Sequence, residues 1–300
     1  MNTVLVTGGS GFIGTRLIQR LQQLVPDVCA LVRPEGPRRP LPRGVRPVAV
    51  DLMNAADVRE AVRTCKPILV FHCAMSSRHP STAADRIEAL ATAVNGTCHL
   101  AEAAAEAGVR RFVHLGSFLG YRQQPLPIRE VDPLEPLTSR GAAKAAASIW
   151  LRQFAKAMKF PAVELRVFSA YGPGELGDRF IPMLLRAARD GTTVLLLPNV
   201  SRDFVYVDDV VDACLRAADV ELPAGAVFNI GSGESRTTEE IVAAVREVSG
   251  RPIRIAEGTY SGNAVDGSWL ADISEARATL GWTPTRSLHA GLAETLRCLS

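Results

Sequence analysis

The chain has 300 residues, 47% of them apolar, and a formal net charge of +3. That length suits one large α/β domain or a domain with a smaller lobe, and the apolar share supports a sizeable buried core. The small charge, with no long basic run, argues against nucleic acid, and no apolar run is long enough to span a membrane. The six cysteines contain no C-x-x-C pair, the five histidines form no ligand-like spacing, and His72 and His114, which alternate with apolar strand residues, read as buried, satisfied core histidines. Buried free thiols in a reducing cytoplasm are therefore expected, with no disulfide and no metal site.

In chain order, Asn2–Thr7 reads as an apolar strand that runs into Gly8, Gly11 and Gly14 and then into an amphipathic helix over Gly11–Leu24. Gly8 permits a tight turn, Gly11 lets backbone approach a pyrophosphate, and Gly14 lets the helix pack hard on the strand. The helix opens at Phe12 and Ile13, where free N–H groups and the positive dipole end suit phosphates. These first fourteen residues carry a cofactor loop, so no signal peptide is expected there. The strand Val28–Val32 ends at Arg33, followed by a Pro- and Arg-rich loop, Pro34–Pro47. A cofactor with a free 2′-hydroxyl wants a carboxylate at that strand end. Arginine suits a 2′-phosphate, with Arg38 and Arg39 assisting, so NADPH is the expected cofactor.

The strand Arg46–Val50 ends at Asp51, placed with Leu52 to meet the adenine or else to cap the next helix, Ala55–Thr64. The strand Ile68–His72 leads into Cys73 and Ala74, expected at the cofactor, and Met75, expected at the pocket wall. The helix Ala83–Ala107 stops at Gly108. The strand Arg111–Leu115 leads to Ser117 and Phe118. The helix Ser139–Met158 and the strand Val163–Phe168 complete the regular alternation. It predicts a Rossmann-type doubly wound parallel sheet over residues 1–171, with residues near 202–215 returning to it. Beyond about Gly172 the elements shorten, and residues 172–300 read mainly as a smaller C-terminal substrate-binding lobe. There is no internal repeat.

Five segments carry a resemblance that spans nearly the whole chain: Thr7–Gly14, Val94–Thr97, Arg202–Val210, Phe228–Gly233 and Leu280–Pro284. Together they resemble extended short-chain dehydrogenase/reductases of the epimerase/dehydratase type. The resemblance implies hydride chemistry on a bound nicotinamide, served by a Ser/Thr, a Tyr and a Lys. The Tyr stands four residues before the Lys on one helix, moves the proton and has its pKa lowered by the ammonium. Ser117 matches the serine and Lys144 the lysine, which also holds the ribose. The tyrosine's position is Arg140, and an always-protonated guanidinium is a poor proton donor. Tyr121 matches a family tyrosine that commonly lines the site.

A second departure concerns the substrate. Family members acting on sugar nucleotides usually have an Asn where Ser169 stands, and an arginine within the stretch that here reads Gly262–Asp266. Of the expected diphosphate clamp Arg202 remains, with Arg179 as a substitute. Met75, Ser117, Phe118, Tyr121, Phe180, Met183 and Arg202 are the expected substrate contacts, mostly apolar. The resulting expectation is an NADPH-dependent ketoreductase acting on a flat, apolar, aromatic polyketide-type intermediate, with the proton taken from water or a substrate hydroxyl. Among family members, angucyclinone ketoreductases are the most similar in lacking this tyrosine. The alternatives are a nucleotide-sugar 4-ketoreductase or epimerase, and a non-catalytic NADPH-binding sensor. The expected partner is a small molecule, and the expected state a monomer or homodimer.

Overall fold

A computed structural model describes residues 3–36, 39–75, 82–175, 178–196, 200–258 and 267–299. It divides into two compact units. The first comprises Met1–Arg122, Pro133–Val167 and Val211–Phe228, and the second Gln123–Asp132, Phe168–Val210 and Asn229–Ser300. In chain order the elements begin β1 (Thr3–Thr7), α1 (Phe12–Leu21), β2 (Asp27–Val32), β3 (Arg46–Ala49), α2 (Ala55–Cys65), β4 (Pro67–His72) and α3 (Ala83–Glu106). There follow β5 (Arg111–Ser117), a 3-10 turn (Phe118–Gly120), α4 (Ser139–Met158) and β6 (Ala162–Val167). The chain continues through β7 (Ser169–Tyr171), α5 (Phe180–Asp190), β8 (Thr193–Leu196), β9 (Ser201–Tyr206), α6 (Val207–Asp219) and β10 (Ala226–Ile230). It ends with β11 (Ser235–Thr237), α7 (Thr238–Ser249), β12 (Arg254–Glu257), α8 (Ser274–Leu280) and α9 (Leu288–Arg297).

The first unit is built on a sheet ordered β10-β6-β5-β4-β1-β2-β3. Strands β1 to β6 pair in parallel, and the order reverses beside β1, as in a Rossmann-type doubly wound fold. The six strands read from the sequence are all present within a residue or two of their expected ends. The seventh, β10, was legible only as a matched segment, because it is short and stands after a helix of mixed composition.

Register explains the layering. Leu5, Val70, Phe112 and Ala162 pair across four strands and belong to one core cluster with Leu100, Ala104, Leu151 and Ala155. Two residues further along each strand the same face carries Thr7, His72, His114 and Glu164, again in register. An apolar layer thus gives way to a buried polar row toward the C-terminal ends of the strands.

In the second unit, β9 pairs with β7 in parallel and with β11 antiparallel. Two buried carboxylates tie it together. Asp203 accepts from the backbone N–H of Ser232, Gly233 and Ala271 and from Ser232 Oγ (2.5–3.2 Å). Asp209 accepts from Thr285 N and Oγ1 and from Arg286 N, and its carbonyl takes Trp282 Nε1–H at 2.9 Å. The matched segments Arg202–Val210, Phe228–Gly233 and Leu280–Pro284 are therefore adjacent in space and act as backbone ties. A buried carboxylate needs such donors to offset its lost hydration.

Candidate active site

The β1–α1 loop and the end of β4 are locked together at the point where the strand order reverses. Gly8 has φ +68, and a Cβ there would lie 2.7 Å from Ala74 N, while a Cβ on Gly14 would overlap the Gly8 carbonyl oxygen. Thr7 Oγ1 accepts from Ala74 N at 3.1 Å and bonds His72 Nδ1 at 2.7 Å. On the far side, His72 Nε2 meets Thr97 Oγ1 at 3.0 Å, and Thr97 donates to the Ala93 carbonyl at 2.6 Å. Since Thr97 spends its proton on Ala93, His72 must donate from Nε2 and accept from Thr7 at Nδ1. Burial, and then the Lys144 charge, push the His72 pKa down to about 3, so the imidazole is neutral.

This cradle fits a dinucleotide. Gly11, exposed and extended, precedes α1 as its N-cap, with no side chain capping the helix's first N–H groups. Helix N–H donors left open beside a glycine turn suit a pyrophosphate. Phe12 and Ile13 are half-buried in the first turn of α1. Arg33 is exposed directly after β2, at the expected strand end. Arg38 lies outside the described residues. Asp51 Oδ1 accepts from Met53 N at 2.9 Å and its carbonyl from Asn54 N, so it shapes the turn. The cap of α2 is Asn54, which accepts from Ala56 and Asp57 N–H. Leu52 is half-buried, and its carbonyl meets His99 Nδ1 at 2.8 Å. Neither Asn54 nor His99 stood out in the sequence, since each acts through backbone groups whose positions only the fold defines.

The catalytic candidates stand on β5 and α4. Ser117 ends β5, half-exposed, and its Oγ accepts from Leu119 N at 3.2 Å, leaving its own proton to donate. Lys144 lies on α4, buried, and its Nζ donates to the Leu115 carbonyl at 2.6 Å. Burial foremost, with the Arg140 charge next, lowers the Lys144 pKa to about 8. Cys73 and Ala74 are half-buried after β4, as is Met75. Burial pushes the Cys73 thiol up to about 12 despite Lys144 nearby.

Two expectations change. Tyr121 is fully buried: its hydroxyl accepts from Arg166 Nη1 at 2.8 Å, and the guanidinium lies 4.8 Å from its ring centroid. It packs in the first unit's core and has no exposed face to give a substrate, and Phe118 is likewise buried. His114 was expected to be a satisfied core histidine. It is buried with neither ring nitrogen hydrogen-bonded among the described residues, 5.1 Å from the His72 ring, and its pKa is driven well below the usual value by burial. Phe180, Met183 and Arg202 belong to the second unit, where Phe180 stacks on Phe204 and Arg202 pairs across from Arg236.

The family model described as the NAD dependent epimerase/dehydratase family matches residues 4–231. The chain belongs to that family. A dTDP-6-deoxy-L-talose 4-dehydrogenase (NAD(P)(+)) of Kitasatospora kifunensis is 32% identical, over 97% of this chain and 93% of the relative. A UDP-glucose 4-epimerase of Mycolicibacterium smegmatis is 31% identical, over 97% of this chain and 96% of the relative. Among solved structures, MoeE5 in complex with UDP-glucuronic acid and NAD is 32% identical with a TM-score of 0.88, covering 99% of both chains. Membership in the family, the Rossmann-type fold and the cradle agree on a nicotinamide dinucleotide. Among the described residues, no helix is long and apolar enough to cross a membrane.

Proposed function

We propose that this chain is an NAD(P)-dependent ketoreductase of the 4-keto group of a nucleotide sugar. The carrying observation is that Ser117 and the buried Lys144 stand at the end of β5 and on α4, while Arg140 occupies the place of the proton-moving tyrosine. An epimerase or dehydratase must remove a hydroxyl proton before hydride can leave, which calls for a base that can cycle. Reduction asks only that the new alkoxide be stabilised and protonated, so the missing tyrosine favours the reductive direction. The names of the relatives support the sugar class, against the aromatic ketone suggested by sequence alone. The bound dinucleotide would supply hydride. Gly8, Gly11, Gly14 and the first turn of α1 would hold its pyrophosphate, and Lys144 its ribose. Arg33 would favour a 2′-phosphate and hence NADPH. Ser117 donates to the substrate oxygen while Leu119 N–H fixes its orientation.

A second reading keeps the aromatic polyketide-type ketone, and two observations favour it. Arg140 leaves the proton unassigned, which a phenolic neighbour on the substrate would solve. Ser169 and the loss of the second arginine remove most of a diphosphate clamp. One assay separates the readings: oxidation of NADPH or NADH, followed at about 340 nm, with a dTDP-4-keto-6-deoxy sugar and with an angucyclinone ketone. Turnover of the sugar alone supports the first reading, and turnover of the aromatic ketone alone replaces it with the second. Turnover of neither, with NADPH still bound, leaves the sensor.

A further inference from the structure

We infer that Lys144 is the proton donor of the reduction and that Arg140, in the tyrosine's place, is the residue that tunes it for that task. The inference rests on the reductase reading above. Its geometry begins on α4, where Arg140, Lys144 and Ser148 follow at i, i+4 and i+8 and so share one stripe of the helix. Ser148 faces β6, where its Oγ donates to Glu164 at 2.5 Å, so the stripe turns toward the buried polar row. Lys144 itself is buried and gives one N–H to the Leu115 carbonyl, on the strand that ends two residues later at Ser117. An ammonium has three donors, and Leu115 is its one hydrogen-bond acceptor among the described residues.

The charges around Lys144 come from every element packed on it. β4 supplies neutral His72 and the Cys73 thiol, and β5 supplies neutral His114. β6 supplies Glu164, itself bonded to Arg166, whose guanidinium also bonds Tyr121 and Ser148. α4 supplies Arg140. Burial disfavours the ammonium, Arg140 adds to that effect, and Glu164 opposes it. A group near 8 is protonated at neutral pH yet gives up its proton far more readily than an ordinary lysine, which is the Brønsted requirement for an acid. A guanidinium cannot meet that requirement. With hydride supplied by the nicotinamide that the cradle would hold, the carbonyl carbon would take that hydride and the C=O pair would move to oxygen. That oxygen takes a proton from Lys144 directly or through one water, and the neutral amine regains its proton from solvent.

The chain has four lysines: Lys66, Lys144, Lys156 and Lys159. Protein labelled at lysine 13Cε therefore gives a spectrum in which one resonance, assigned by its loss in Lys144→Met, can be titrated without cofactor or substrate. The expected midpoint is near 8, against about 10.4 for ordinary lysines, and Arg140→Gln should move it upward. In turnover, kcat for carbonyl reduction should fall above that midpoint. The falling limb should move upward in Arg140→Gln, and Lys144→Arg should lose more than tenfold in kcat, a loss that persists at saturating NADPH. A Lys144 resonance that titrates with the other three, or one indifferent to Arg140→Gln, overturns the tuning. A midpoint near 8 with kcat flat across it overturns the acid role and leaves the reductase reading standing. Absence of turnover with every carbonyl overturns the reductase reading and the acid role with it.

Discussion

His72 shows how much one side chain can organise without touching a ligand. It links Thr7 on β1 to Thr97 on α3, and through Thr7 it fixes the Ala74 N–H that meets the glycine loop. From sequence it read as an ordinary core histidine, because neither hydrogen bond is local. Thr97→Val removes the acceptor of the Nε2 proton and leaves a buried donor unmet, at a cost of about 1–3 kcal/mol. The expected outcome is a lower urea midpoint together with weaker NADPH binding, read by fluorescence titration. An unchanged affinity would confine the network to folding. Arg140 is the opposite case. Its oddity is visible at once in the sequence, four residues before Lys144, but its effect depends on a burial that no local pattern reveals.

The first four helices were legible because apolar periodicity is a local signal, whereas α5 to α9 were read only as the shorter elements of a smaller lobe. The structure adds the caps: α2 begins after Asn54, whose side chain accepts from two N–H groups, and α3 and α7 carry capping boxes at Thr82 and Thr237. Asn54→Ala should cost about 1 kcal/mol, visible as a shifted urea midpoint with an unchanged slope. What ties α4 to β6 was not legible. Glu164 and Arg166 sit two apart on a strand that otherwise reads as fully apolar, and both are buried. Glu164 accepts from Ser148 and Arg166, and Arg166 continues to Tyr121. Arg166→Met would leave Glu164 buried beside a single hydroxyl, and removing one partner of a buried pair costs about 3–5 kcal/mol. The expected result is a large loss of thermal stability. A paired Glu164→Gln, Arg166→Met variant should recover part of it, and failure to do so would place the cost in packing against Tyr121.

For the whole molecule, the buried imidazoles set the acid limit. In the folded chain His72 titrates only near 3 and His114 also well below its usual range, while both take up protons near 6.5 once unfolded. Between those values the unfolded chain binds more protons, so stability is intact above about pH 6.5 and falls as the pH drops toward 3. Each imidazole adds a slope of order 1 kcal/mol per pH unit. Urea midpoints at pH 8 and pH 5 should therefore differ strongly, and His114→Phe should narrow the difference. An equal gap in that variant would assign the acid sensitivity to carboxylates. The sequence by itself determined the parallel sheet, its cofactor loop and the positions of Ser117 and Lys144, because apolar periodicity, glycine spacing and capping are short-range signals. The matched segments around Asp203 and Asp209 also announced the family. Only the tertiary structure decided that those carboxylates serve as backbone ties, that Tyr121 is core, that neither ring nitrogen of His114 is hydrogen-bonded among the described residues, and that Lys144 is a desolvated ammonium one helical turn from Arg140. Those properties come from burial and from neighbours distant in the chain, and a side chain's pKa, exposure and hydrogen-bond partners exist only once the sheet and its helices have closed around it.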